Sequence, residues 1–208
     1  MVLGLDGTED DPDVEPSQRL QYFDPAVPGW GQLGGMGVRR PFGCGTAAVG
    51  PRVYAFGGQG MEVEEPAHTS VYDAATRETR DLARPPRALQ FCAGVACDGL
   101  VYCLGGWDVL MSTSVAGVCV YNPAHDSWVP GPPLPLSCYG MAVAEHMRGI
   151  YVCGGWAVPA PGLPPSGAAA VLMLDPRTRA WASLPAMPTC VADAGGQETN
   201  PTTLNLEP

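Results

Sequence analysis

Lysine is missing from all 208 residues; the eleven basic side chains are arginines, set against 21 carboxylates for a formal charge of −10. A chain this acidic, without a basic stripe, is a poor ligand for nucleic acid or for an anionic membrane surface. The acidity itself reads as a solubility device. The missing lysine also removes the phosphate loop of nucleotide hydrolases, whose ammonium must reach the phosphates. No apolar run approaches the roughly 18 residues of a membrane span. The N-terminal MVLGLDGTEDDPD has no basic region ahead of an apolar one, so it does not read as a secretory signal. No two of the eight cysteines stand at CxxC spacing, which removes the usual zinc and thiol-redox patterns. No segment carries a long helical stripe.

Glycine (27) and proline (23) are abundant, and they punctuate apolar runs of four to six residues, the pattern of many short strands joined by turns. With 46% apolar residues the chain is not a disordered polypeptide. Cys97, Cys103, Cys119 and Cys153 sit inside such runs, where a free thiol behaves as a small apolar side chain. Reduced cysteines in a cytoplasmic compartment, with the nucleus as the other option, fit this placement; an even count also allows a disulfide framework.

An internal repeat organises everything else. RVYAFGGQG, LVYCLGGWD and GIYVCGGWA align on the doublets Gly57-Gly58, Gly105-Gly106 and Gly154-Gly155, whose first glycines lie 48 and then 49 residues apart. A tyrosine stands three residues before each doublet: Tyr54, Tyr102 and Tyr151. A second landmark keeps the same period. FDPAVPGW, YDAATRET, YNPAHDSW and LDPRTRAW start at Phe23, Tyr72, Tyr121 and Leu174, and seven residues after each start come Trp30, Thr79, Trp128 and Trp181. Each unit reads as an inner strand of small residues (TAAV, AGVAC, GMAVA), a strand ending at the doublet, a variable loop, and two further strands joined by an Asx turn. Four strands per roughly 50 residues is the blade of a β-propeller.

The doublet, the aromatic-Asx-Pro and the tryptophan seven residues on resemble the kelch repeat over nearly the whole chain, most closely the kelch part of BTB-kelch proteins. Thr79 and Leu174 depart from that pattern, standing where a tryptophan and an aromatic residue are expected. The expected fold is all-β: a partial kelch propeller of three complete four-stranded blades (38–86, 87–136 and 137–188) after a partial blade at 1–37, with a polar, disordered tail at 189–208. VLGL at residues 2–5 reads as a decayed doublet strand, so the expectation is a chain that starts in mid-blade: a fragment, a spliced product or half of an assembly.

The doublets do not read as phosphate binders, since neither GGWDVL nor GGWAVP continues as GxGxxG. In a blade they serve positive φ and close backbone approach. Trp30, Trp128 and Trp181 read as packing between sheets. His68, His125 and His146 fall in different places of different units, no GxSxG elbow is present, and the carboxylates of Glu64-Glu65 and of the Glu9–Asp13 run read as solvated loop charge. Some propeller relatives are copper oxidases with a Tyr-Cys cofactor, but their ligand set is not reproduced. No catalytic residue, metal or cofactor is therefore expected.

The resemblance implies that ligands lie across one face of the propeller, built by the loops after each doublet and the loops entering each inner strand. On this chain that face gathers Gln59, Phe91, Trp107, Asp108, Tyr139 and Trp156. Phe91 and Tyr139, with Gly43 as the third equivalent, take the place where some kelch adaptors carry arginines that clasp acidic peptides. An apolar protein surface held by aromatic anchors is the better expectation, with Arg39, Arg40 and Arg87 as rim charge. The resemblance implies non-enzymatic recognition of a protein target, as the substrate-binding end of a BTB-kelch adaptor of a cullin–RING ubiquitin ligase. The cullin would be reached only through a BTB region that these residues do not contain. An actin-binding or scaffold role, or a truncated product without a function of its own, are the alternatives.

Overall fold

The computed structural model describes residues 2–5, 19–24, 27–35, 42–59, 68–158 and 163–191, and every regular element among them is a strand. Sheet I is β1 (Val2–Leu5), β2 (Arg19–Asp24) and β3 (Val27–Gly35). Sheet II is the four-stranded meander β4 (Phe42–Val49), β5 (Arg52–Gln59), β6 (His68–Asp73) and β7 (Glu78–Leu82). Sheet III comprises β8 (Ala93–Cys97), β9 (Leu100–Leu104), β12 (Val118–Asn122) and β13 (Ser127–Pro130). A small hairpin, β10 (Trp107–Asp108) and β11 (Thr113–Ser114), is inserted between its second and third strands. Sheet IV repeats this plan with β14 (Ala142–His146), β15 (Gly149–Cys153), β18 (Val171–Asp175) and β19 (Ala180–Leu184), and with β16 (Trp156–Ala157) and β17 (Ser166–Gly167) inserted at the same point. Three blades and a partial one are thus present as the repeat predicts.

The seven-residue spacing is a cross-strand register. Phe23 lies opposite Trp30, Tyr72 opposite Thr79, Tyr121 opposite Trp128 and Leu174 opposite Trp181. In sheets II to IV an Asx side chain forms the turn: Asp73, Asn122 and Asp175 accept the backbone N–H two residues on at 2.9–3.0 Å. The chain then reverses through a left-handed residue, Arg77, Asp126 or Arg179, with φ between 46° and 61°. The hydrogen bonding is local, so the spacing survives wherever the turn does.

Packing between sheets explains the unbroken apolar run VYCL. Val101 and Cys103 join the cluster against sheet II with Tyr54, Phe56 and Tyr121. Tyr102 and Leu104 face sheet IV with Ile150, Val152 and Leu174. A strand buried on both faces shows no alternation of polar and apolar residues. The thiols belong to this packing. Cys92, Cys97, Cys103 and Cys138 are buried, all eight cysteines are unbridged, and burial pushes Cys138 up to about 11, which keeps it a neutral thiol.

Trp128 and Trp181 reach back to the preceding sheet. The Trp128 indole donates to the Ala83 carbonyl at 3.0 Å and sets its ring edge-on to Phe56 at 5.4 Å; Trp181 donates to the Pro132 carbonyl at 3.1 Å. Asp126 adds a second staple. Its carboxylate accepts the Tyr121 hydroxyl at 2.6 Å and the Ala83 N–H at 2.8 Å, and these bonds hold its pKa below the ordinary carboxylate value. Trp30, which has no described sheet before it, is 62% exposed.

The doublets lock one blade to the next. The N–H groups of Gly58, Gly106 and Gly155 donate to the carbonyls of Leu89, Cys138 and Val191 at 2.7, 2.9 and 2.9 Å. All six glycines of the doublets have positive φ, from 55° to 128°. A Cβ on Gly105 would overlap the Cys138 carbonyl oxygen, and one on Gly154 the Val191 carbonyl oxygen. Gly50 also has positive φ, at 57°, but opens onto empty space.

Two expectations follow from this packing. Gly50→Ala should cost about 1–2 kcal/mol, the penalty of a left-handed Cβ, whereas Gly105→Ala adds a backbone collision and should cost roughly 3 kcal/mol or more. Equal losses in urea unfolding would remove the close-approach argument. Because Asp126 has a lowered pKa when folded, its contribution is full above its ordinary value of 3.8 and is lost as pH falls through the lowered one. The fall in unfolding midpoint between pH 6 and pH 3 should therefore be smaller in Asp126→Asn than in the parent chain.

Candidate protein-binding face

The doublets deliver each second strand to the same end of the sheets, where the inserted hairpins begin. Trp107 and Gln90 exchange backbone hydrogen bonds at 2.7 and 3.0 Å, and Trp156 and Tyr139 do the same at 2.8 and 3.0 Å. Each hairpin base is thereby sewn to the segment entering an inner strand. Ser114 ties the two hairpins together, since its hydroxyl oxygen accepts the Val158 N–H at 3.3 Å.

Three of the sequence-predicted residues form one aromatic cluster. The Tyr139 ring lies 5.3 Å from Trp107 in an edge-on arrangement and 6.0 Å from Phe91. All three are half-buried. Asp108 is beside them, but its carboxylate is engaged. It accepts the Met111 N–H at 3.0 Å, closing the hairpin loop, and faces the Arg87 guanidinium at 3.9 Å. Asp108 therefore shapes the loop, with the exposed Arg87 guanidinium beside it. Trp156 is half-buried and joined to the cluster through the Tyr139 backbone. The Gln59 backbone ends β5 opposite Phe42, while its side chain, like Arg39, Arg40 and Glu64-Glu65, lies outside the described residues.

The blade-to-blade equivalence differs by one residue from the sequence alignment. The Phe91 N–H donates to the Gly43 carbonyl, and the Gly140 N–H donates to the Phe91 carbonyl. Gly43, Phe91 and Gly140 also share positive φ, at 70°, 52° and 60°. Gly140 is thus the partner of Phe91, and Tyr139 corresponds to Gln90. The doublet spacing of 48 in one unit and 49 in the next carries the slip. Phe91 is consequently a non-glycine residue in a left-handed conformation, an uncommon placement for a bulky side chain.

Two further residues belong to the face. Leu110 and Met111 at the tip of the β10–β11 hairpin are 76% and 71% exposed, directly beyond Asp108. Their signal in the sequence is the apolar DVLM following the doublet, in a loop where polar residues are the norm. Among the described residues no group of three His, Cys, Asp or Glu side chains is placed to hold a metal ion, and no helix is long and apolar enough to cross a membrane.

A kelch motif is matched over residues 89–135. Kelch-like protein 33 of Homo sapiens is 32% identical over 131 residues, 61% of this chain and 24% of that protein. Kelch repeat and BTB domain-containing protein 12 of Danio rerio is 27% identical over 71% of this chain and 17% of its own length. Beta-scruin of Limulus polyphemus is 24% identical over 53% of this chain and 13% of its own. The chain thus spans a quarter or less of these relatives. The solved structure of YjhT superimposes with a TM-score of 0.71 at 17% identity, over 85% of this chain and 61% of that one, a likeness of fold. The doublets, the cross-strand aromatic-tryptophan pairs and the matched motif all fall in one register, so the chain carries a kelch motif at residues 89–135 and resembles the kelch-repeat β-propellers in fold.

Proposed function

We propose that this chain recognises a protein target through the hairpin face, as the substrate-binding part of a BTB-kelch adaptor for a cullin–RING ubiquitin ligase, and that it is not an enzyme. The observation that carries the reading is the cluster of Phe91, Tyr139 and Trp107, continued outward by the exposed Leu110 and Met111. Aromatic rings held on a backbone-stapled base lose little freedom on binding, which suits them to act as anchors. The exposed pair at the hairpin tip favours an apolar segment of the target. Kelch repeats bind proteins, and two of the similar proteins are kelch-like or BTB-containing by name; these support the adaptor role. The unbridged thiols suit a cytoplasmic location.

Affinity capture with the longest natural form of the protein, followed by mass spectrometry, tests both halves. Target and cullin should be retrieved together. Leu110→Asp with Met111→Asp, at the exposed hairpin tip, should leave the thermal midpoint nearly unchanged, whereas Trp107→Ala also removes the packing on the Tyr139 ring and should lower it. Each should weaken target capture by roughly 2 kcal/mol, about thirtyfold, while cullin capture persists. Because the chain has no lysine, ubiquitin joined to lysine in the captured material reports on the partner or on other parts of the adaptor. Retrieval without a cullin, together with co-sedimentation on actin filaments, would replace the adaptor reading by a cytoskeletal one. An unchanged target set in both variants would move the binding site elsewhere.

A further inference from the structure

The junction between sheets II and III is filled at one level and open at the next. Val101, Tyr121 and Trp128 form a cross-strand row on the face toward sheet II, and the rings of Tyr54 and Phe56 close over it. The next row on that face is Cys103, Cys119 and Pro130, three small side chains. The same row in sheet IV is Val152, Leu172 and Ser183, and there Leu172 is buried. Cys119 stands where sheet IV has that leucine, and a cavity of about 340 Å³ lies against it.

The walls of this cavity hold their shape. Pro85 and Pro86, on the segment from β7 to β8, line it together with Pro130, Gly131 and Pro133 at and beyond the end of β13. Prolines have a fixed ring and glycine has no side chain, so none of them can swing in to fill the space. Gly131 is required there, since a Cβ would come within 2.6 Å of the Val118 side chain. Leu89, Val115 and the thiols of Cys103 and Cys119 add apolar surface. Among the described residues that line it, Arg87 alone carries a charge. Its guanidinium lies 3.9 Å from Asp108, longer than a hydrogen bond, and 66% of the side chain is exposed, so its N–H fork is open to another acceptor. Burial raises the pKa of the Cys119 thiol and the Arg87 charge opposes that rise, which places the cation within electrostatic reach of the cavity floor.

A pre-formed apolar cavity with one cation at its mouth is the pattern of a small-molecule site. We infer that this cavity binds a small molecule with an apolar body and a single carboxylate, the body against Cys119 and Val115 and the carboxylate on the Arg87 guanidinium. The planar fork of an arginine matches a carboxylate with two parallel hydrogen bonds. A group with two negative charges is disfavoured, because Asp108 already offsets part of the Arg87 charge and the whole chain carries −10. The volume is near the lower end of the roughly 300–1,000 Å³ of ligand pockets, which limits the body to about two fused rings or a short alkyl chain. Phe91, Tyr139 and Trp107 do not line the cavity, so its occupation does not require a protein on that cluster.

Isothermal titration calorimetry of the 208-residue chain with 2-naphthoate, and with the uncharged 2-naphthamide as control, tests this. The carboxylate should bind about tenfold more tightly than the amide. It should also slow alkylation of the half-buried Cys119 by iodoacetamide while leaving the exposed Cys190 unaffected. Arg87→Gln should weaken 2-naphthoate about tenfold, the loss of a charge-assisted hydrogen bond, and leave the amide unchanged. Cys119→Leu, which gives sheet III the residue that sheet IV carries at this position, should abolish binding of both compounds in a folded chain. Protection of Cys119 in the parent chain locates the ligand whether or not that variant folds. A parent chain that does not bind 2-naphthoate, or binds it without protecting Cys119, overturns the inference. So does equal affinity for the amide, binding undiminished in Arg87→Gln, or binding that survives in folded Cys119→Leu.

Discussion

The hydrogen bond from the second glycine of each doublet to a carbonyl of the next unit is the constraint on which the rest depends. It runs from Gly58 to Leu89, from Gly106 to Cys138 and from Gly155 to Val191. The bond is made only if the first glycine lets that carbonyl lie against its Cα, and a side chain there would collide with it. One pair of residues therefore ends a strand, turns the chain into a hairpin and fixes the height of the next inner strand. The candidate face inherits its shape from this, since Trp107 and Trp156 follow the doublets directly.

A second layer of contacts sets the outside of each junction. The indoles of Trp128 and Trp181 close over the preceding sheet, and Asp126 adds a charged staple to the Ala83 N–H. The side chain of a residue at the tip of the Asx turn reaches the previous blade in both cases seen, Asp126 to Ala83 and Arg179 to the Pro130 carbonyl. The turn that defines the hairpin is thus also an attachment point. Between these two layers lies the apolar filling, which among the described residues buries both faces of sheet III and one face of sheet IV.

On the candidate face, the residue types were legible and their duties were not. Trp107, Tyr139 and Phe91 come together as the repeat implies, because backbone pairing at Gln90 and Tyr139 brings the entry segments to the hairpin bases. Asp108 turns out to cap its own loop, a local bond that spacing between repeats cannot reveal. Leu110 and Met111 stand in the variable loop, where no landmark recurs for comparison between units. The matching of Phe91 with Gly140 required the interblade bonds, since units of 48 and 49 residues leave the register open by one.

By itself the sequence determined the repeat, the four-stranded unit and the pairing of each aromatic landmark with the residue seven positions later. All of these rest on hydrogen bonds between near neighbours, which leave a fixed spacing in the chain. The tertiary structure alone decided which face of each strand meets which sheet, which tryptophans are covered, and which carbonyl each indole finds. Those contacts join residues about 50 positions apart, and their geometry depends on how one whole sheet is seated on the next. The run VYCL shows the division. Its residues announce a buried strand, but only the stacked sheets assign Val101 and Cys103 to one neighbour and Tyr102 and Leu104 to the other.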